Sequence, residues 1–218
     1  MVRRRVHGDE QIEFDGVAMT TLPRALYDIA LDARSLTDAV VALDMGLSTT
    51  TGDAHTTPAN LAKVFSSHHK TRGLVMARQA KDLAVTRSAS PLESRTRCVC
   101  TVDAGIDGWL VNVPIFDLGG RLLGIADLLN EEVGLVVETD GDGHRELIRH
   151  TDDNIREEGF ERAGLVVSRL TSYDHVRKPA TVTRLRAAYE QARRSPKGAW
   201  TLEKPLWWFD WPPARRWD

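Results

Sequence analysis

The chain has little cysteine, no long apolar run and no surplus of positive charge. Its two cysteines among 218 residues are Cys98 and Cys100. On a helix, residues two apart point away from each other, which argues against a disulfide between them. Two cysteines without histidines nearby are also too few for a structural zinc site. No stretch reaches the ~20 apolar residues of a membrane span. The opening residues MVRRRVHGDE hold no apolar segment of signal-peptide length. These absences point to a soluble, reduced, cytoplasmic protein. Lys and Arg number 29 against 31 Asp and Glu, a net charge of −2, so no global positive field advertises nucleic acid. Basic residues are clustered locally instead, at Arg3, Arg4 and Arg5, at Arg95 and Arg97, and at Arg193, Arg194, Arg215 and Arg216. Hydrophobic residues at 42% and charged residues at 28% are ordinary for a soluble globular chain, and the length suits one large or two small domains.

What is present reads first as a small helical region. Residues 1–18 hold one or two short strands bounded by turns. Thr21 precedes Leu22-Pro23, a hydroxyl cap followed by proline in the first turn, with Leu22, Ala25, Leu26, Ile29 and Ala30 at helical spacing. Ser35 caps a second helix, with Asp38 three residues on. Thr57-Pro58 opens a third, and a fourth runs from about Arg72 to Val85. Arg24 and Asp28, four apart, read as a helix-surface or interdomain ion pair. Ser90-Pro91-Leu92-Glu93 starts another helix, in which Glu93 serves as a capping acid. Val111 to Leu118 is a strand turned by Gly119-Gly120. Leu165 to Leu170 is a further strand, and Lys178 to Arg194 a last amphipathic helix.

The segment Arg121 to His144 carries the chemistry. It reads as two apolar runs, Leu122 to Leu129 and Val133 to Val137, meeting at a turn near Asn130-Glu131. Asp127 precedes the turn, and Glu138 and Asp140 follow it. As strand residues two apart, Glu138 and Asp140 point to one face. A modest stagger of the hairpin brings Asp127 to the same end. Three carboxylates so placed repel one another, and a hard divalent cation resolves that cost. Mg²⁺ takes one or two carboxylates plus substrate phosphates. Ordinary solvated acids at strand ends are the plainer reading.

The order Glu93, Asp127 in IADLL, VVETDGDGH with Glu138, Asp140 and His144, then Asp152 and Arg156 in D-x-x-x-R spacing, resembles the nuclease domain of the very-short-patch-repair endonucleases. It resembles still more closely the domain of that type in a set of uncharacterised actinobacterial proteins, within the PD-(D/E)xK restriction-endonuclease-like superfamily. The resemblance covers roughly Ser90 to Arg193. The segment TTLPRALYDIA is similar to a stretch upstream of that domain in the same proteins. The sequence departs from the superfamily pattern in one respect: its third motif ends in lysine, whereas Asp140 stands there and no lysine lies between Lys81 and Lys178. The repair-endonuclease branch uses histidine instead, which His144 matches. Thr139 replaces the family's usual tyrosine.

The resemblance implies an α/β fold with a restriction-endonuclease-like core in the order α-β-β-β-α-β, a mixed sheet flanked by helices. The expected division is a mainly helical region at 1–86, the nuclease domain at 87–195 and a Trp/Pro-rich tail at 196–218. It further implies a Mg²⁺- or Mn²⁺-dependent DNA endonuclease in phage defence or DNA repair. Asp127, Glu138 and Asp140 would then be the metal ligands, Glu93 an accessory acid, His144 the general base or acid and Arg156 a phosphate contact. The alternative is a nuclease fold without activity, serving as a binding or regulatory protein, antitoxin-like or phage-encoded. The tail, with Trp207, Trp208 and Trp211, reads as a strap on the chain's own domain, as a surface for a protein partner or self-association, or as a stacking platform for unpaired bases.

Overall fold

A computed structural model of the chain describes residues 4–51, 55–140 and 158–211. The chain divides into two compact units, Met1–Pro91 and Leu92–Asp218.

Unit 1 begins with a hairpin of β1 (Gln11–Phe14) and β2 (Val17–Thr20). Asp15 and Gly16 link them, both at positive φ (49° and 76°), as a two-residue turn matched to strand twist requires. Four helices follow: α1 (Leu22–Asp32), α2 (Leu36–Leu47), α3 (Pro58–Ser67) and α4 (Leu74–Leu83). Ser35 accepts a hydrogen bond from the Asp38 N–H, and Thr57 accepts one from that of Asn60, so both caps act as their residue types predict. The core of this unit includes Leu26, Tyr27, Ala30, Val40, Leu43 and Phe65.

The α1 stripe departs from the sequence expectation. Leu22 and Ile29 are exposed, while Arg24 is 1% exposed. Arg24 is therefore not a surface residue. Its Nη1 donates to Glu10 Oε2 at 2.6 Å and to the Arg5 carbonyl at 2.8 Å, and its Nε donates to Asp28 Oδ2 at 2.9 Å. His68 Nε2 lies 2.6 Å from the other Glu10 oxygen, and Tyr27 stacks on the His68 ring. A buried guanidinium is tolerated because its charge is matched and its donors are used.

Unit 2 is built on one five-stranded sheet in the order β6-β5-β4-β3-β7. It opens with α5 (Pro91–Cys98), which continues into a π-helical turn, Val99–Asp103. The strands are β3 (Trp109–Asp117), β4 (Leu122–Asn130), β5 (Leu135–Asp140), β6 (Val166–Thr171) and β7 (Trp200–Thr201). The pairs β3/β4, β4/β5 and β3/β7 are antiparallel, and β5/β6 is parallel. Residues 158–162 are helical (α6), followed by α7 (Ser172–Val176), α8 (Lys178–Arg194) and α9 (Leu206–Asp210). The molecule is thus a mixed α/β protein with a five-stranded mixed sheet flanked by helices. Leu135, Val136 and Val137 are wholly buried, as in a central strand covered on both faces. Ile115, Ala126, Leu129, Val136, Phe160 and Leu165 form one core cluster, with Trp200 and Leu202 packed on its margin. Cys98 and Cys100, neither in a disulfide, are buried as well.

The tail is part of unit 2. Trp200 and Thr201 add a short strand beside Asp117 and Phe116. Trp208 is fully buried with Phe116 in a second small cluster, their rings edge to face at 5.3 Å. Trp207 and Trp211 pack on Trp208 yet keep 42% and 36% of their surface exposed. Trp208 therefore acts as an internal anchor, and only its neighbours face outward. Trp217 lies outside the described residues.

Candidate active site

The sheet register settles which acids meet. The β4/β5 ladder pairs Leu129 with Val136 and Leu128 with Val137. Asp127 and Glu138 come directly after the last of these pairs, Leu128 with Val137, at the same end of the two strands. The Thr139 N–H donates to Asp127 Oδ2 at 2.7 Å, which holds the Asp127 carboxylate against the start of the β5 end. Glu138 is 4% exposed, while Asp127 and Asp140 are half-buried.

The row extends to both sides. On β3, Val111 pairs with Leu128 and Val113 with Ala126, so Asn112 stands opposite Asp127. Asn112 has φ +48°, a left-handed conformation that asparagine tolerates better than most residues. It is 2% exposed, and its amide donates to Glu93 Oε2 at 2.7 Å. On β6, Arg169 is the partner of Glu138 and Thr171 that of Asp140. Asn112, Asp127, Glu138 and Arg169 thus lie at the same level of four neighbouring strands, Glu138 and Arg169 as direct partners, with Glu93 joined from α5 through Asn112. Polar side chains buried in a sheet gain nothing from burial by itself.

Of the predicted residues, Asp127 and Glu138 are brought side by side, Asp140 lies two residues further along β5, and Glu93 connects through Asn112. His144 and Arg156 lie outside the described residues. Asn112 and Arg169 carry no sequence signal of their own, since their place follows only from the strand register. His175 is a third group the sequence did not single out. It sits on α7 with Nε2 3.2 Å from Thr96 Oγ1, one helical turn along α5 from Glu93. Burial, then the nearby Arg95 charge, pushes its pKa down from the ordinary value, so the ring is held neutral at pH 7.

Among the described residues, no group of three or more His, Cys, Asp or Glu side chains is placed to hold a metal ion. Asp127 and Glu138, at one end of β4 and β5, are of the residue type that suits a cation taking two carboxylates and completing its shell with water and phosphate oxygens, as Mg²⁺ does. Compared with protein-family models, curated proteins and solved structures, the chain matches none.

Proposed function

We propose that unit 2 is a Mg²⁺-dependent endodeoxyribonuclease with a restriction-endonuclease-like core, acting in phage defence or DNA repair. The observation that supports this reading is the placement of Asp127 and Glu138 at the same end of β4 and β5, directly after the Leu128–Val137 pair, with the Thr139 N–H on Asp127 and Glu93 bonded to Asn112 on the neighbouring strand. Asp127 and Glu138 would hold the metal, with Asp140 a further ligand or an orienting group. A metal held there would supply polarisation of the scissile phosphate and a lowered pKa for an attacking water. The chain's own part is to fix these acids before substrate arrives. The Thr139 N–H orients Asp127, and the Glu93–Asn112 bond braces β3 beside it. His144 would exchange the proton with water or leaving group, and Arg156 would contact phosphate.

A second reading, a nuclease fold retained for binding or regulation, is favoured by the outward apolar surface of the tail, where Leu206 and Phe209 stand exposed beside Trp207 and Trp211. Calorimetric titration of Mg²⁺ and Mn²⁺ into the protein, paired with nicking of supercoiled plasmid, separates the two. Metal binding with nicking that EDTA abolishes supports the nuclease. A protein that binds neither ion and leaves the plasmid intact overturns it in favour of the binding protein.

A further inference from the structure

A second polar site lies within unit 1, and it stands apart from the nuclease reading of unit 2. Beside α1, the turn between α3 and α4 and the segment before β1 enclose a cavity of ≈ 840 Å³. Among the described residues its lining carries Arg4, Arg5, Arg24, Lys70 and Arg72 with the carboxylate of Asp32. That concentration of positive charge is notable in a chain whose net charge is −2.

The basic groups differ in how they are used. Arg24 forms the floor, neutralised by Glu10 and Asp28. Arg4 bridges Asp28 and Asp32, so the carboxylates of α1 are matched rather than left to repel an anion. Arg5, Lys70 and Arg72 are exposed, and none makes an ion pair among the described residues. They stand at the rim with His69. Glu10, Asp28 and Asp32 are paired with Arg24 and Arg4, and the rim cations Arg5, Lys70 and Arg72 add positive charge beyond those pairs.

The rim is also built. The segment His68 to Gly73 leaves α3 and enters α4 with Lys70 at φ +55° and Gly73 at φ +84°. A lysine in the left-handed region is uncommon and costs about 1–2 kcal/mol. At Gly73, an added Cβ would lie 2.4 Å from the Leu31 carbonyl, so only glycine allows this turn to sit against α1. The buried imidazole of His68, fixed by Glu10, anchors the start of the turn. The backbone thus holds Lys70 and Arg72 at the mouth of a basic cavity at a local energetic cost.

We propose that this cavity binds a phosphate group carried by a nucleotide or by the backbone of DNA, with Arg5, Lys70 and Arg72 as its contacts. Guanidinium forks give bidentate phosphate recognition, and the lysine adds a point charge. The volume suits a nucleotide-sized occupant.

The test uses the full chain in EDTA, where metal-dependent cleavage cannot occur, so a failed nuclease and a failed phosphate site are told apart. Binding of a short fluorescein-labelled DNA duplex is followed by anisotropy across a salt series. Adenosine monophosphate and inorganic phosphate are titrated by calorimetry. The comparison is with the triple variant Arg5→Ala, Lys70→Ala, Arg72→Ala, and with Lys70→Glu alone. Both change only exposed side chains, and their melting temperatures should match that of wild type. If DNA is the source, the triple variant binds the duplex at least about tenfold more weakly, and the slope of log K against log salt falls by about 2–3 as three phosphate contacts vanish. If a free nucleotide is the source, adenosine monophosphate binding shows the same loss while duplex binding is unaffected. Wild type that binds neither DNA, nucleotide nor phosphate overturns the proposal, as does a triple variant that binds them as wild type does.

Discussion

Replacing Arg24 with methionine is expected to destabilise unit 1 by about 3–5 kcal/mol, the usual cost of removing one partner from a buried ion pair. This approaches the whole stability of many domains. The reason lies in what stays behind. Glu10, 4% exposed on its side chain, keeps its charge in a site that no longer offers a guanidinium, and the Arg5 carbonyl loses its donor. Urea denaturation of wild type, Arg24→Met and the double variant Arg24→Met with Glu10→Gln measures this. The double variant should recover part of the loss, because the stranded charge is gone. A single variant as stable as wild type would show that the cluster is not holding the unit together. The same cluster sets a pH dependence. Burial raises the Glu10 pKa, but the His7 N–H, His68 and Arg24 outweigh it, and the carboxyl is held below its ordinary value of 4.5. A depressed folded-state pKa stabilises fully above the unfolded pKa and loses that contribution as pH falls through the folded one. The acid limb of the stability curve should therefore flatten in Glu10→Gln.

Asp127→Ala is expected to abolish metal-dependent nicking, a loss of about a thousandfold or more, since a catalytic metal is worth several kcal/mol of transition-state stabilisation. Stability should be unchanged or slightly raised. The opposed carboxylates of Asp127 and Glu138 repel when no cation lies between them, and removing one relieves this. The hydrogen bond from Thr139 is lost, which offsets part of the gain by about 1 kcal/mol. Plasmid nicking, Mg²⁺ calorimetry and thermal melting on the same preparation read the three effects. Full activity in this variant would sink the assignment of the site.

Most of the longer strands and helices of both units were legible from caps, turns and periodicity, while β5 runs three residues past its expected end and α7, α9 and β7 were not foreseen. Thr57-Pro58, Ser35 with Asp38, and Gly119-Gly120 each signal a boundary through local chemistry, and local chemistry survives folding. Legibility failed where a residue's role depends on a distant partner. Arg24 looks like a surface cation when only Asp28 is in view, because Glu10 and His68 reach it from other elements. Asn112 sits in an apolar run with nothing to mark it, and its meeting with Glu93 depends on how α5 packs beside β3. The convergence of Asp127 and Glu138 was suggested by the hairpin, but the register that brings them to one end, just past the Leu128–Val137 pair, is a property of the whole ladder. Trp200 shows the same limit: a two-residue strand has no periodicity to detect, and its place beside Asp117 is set by tertiary structure alone.

The two thiols give the protein an internal stopwatch. Unit 1 contains no cysteine, and both cysteines of the chain lie in unit 2, Cys98 and Cys100 being 1% and 0% exposed. Burial, with Cys98 adjacent, pushes the Cys100 thiol up to about 12, so the reactive thiolate is nearly absent at neutral pH while the unit is closed. Alkylation then proceeds only through openings of unit 2. Its rate times those openings, so it clocks the durability of the sheet that carries Asp127 and Glu138.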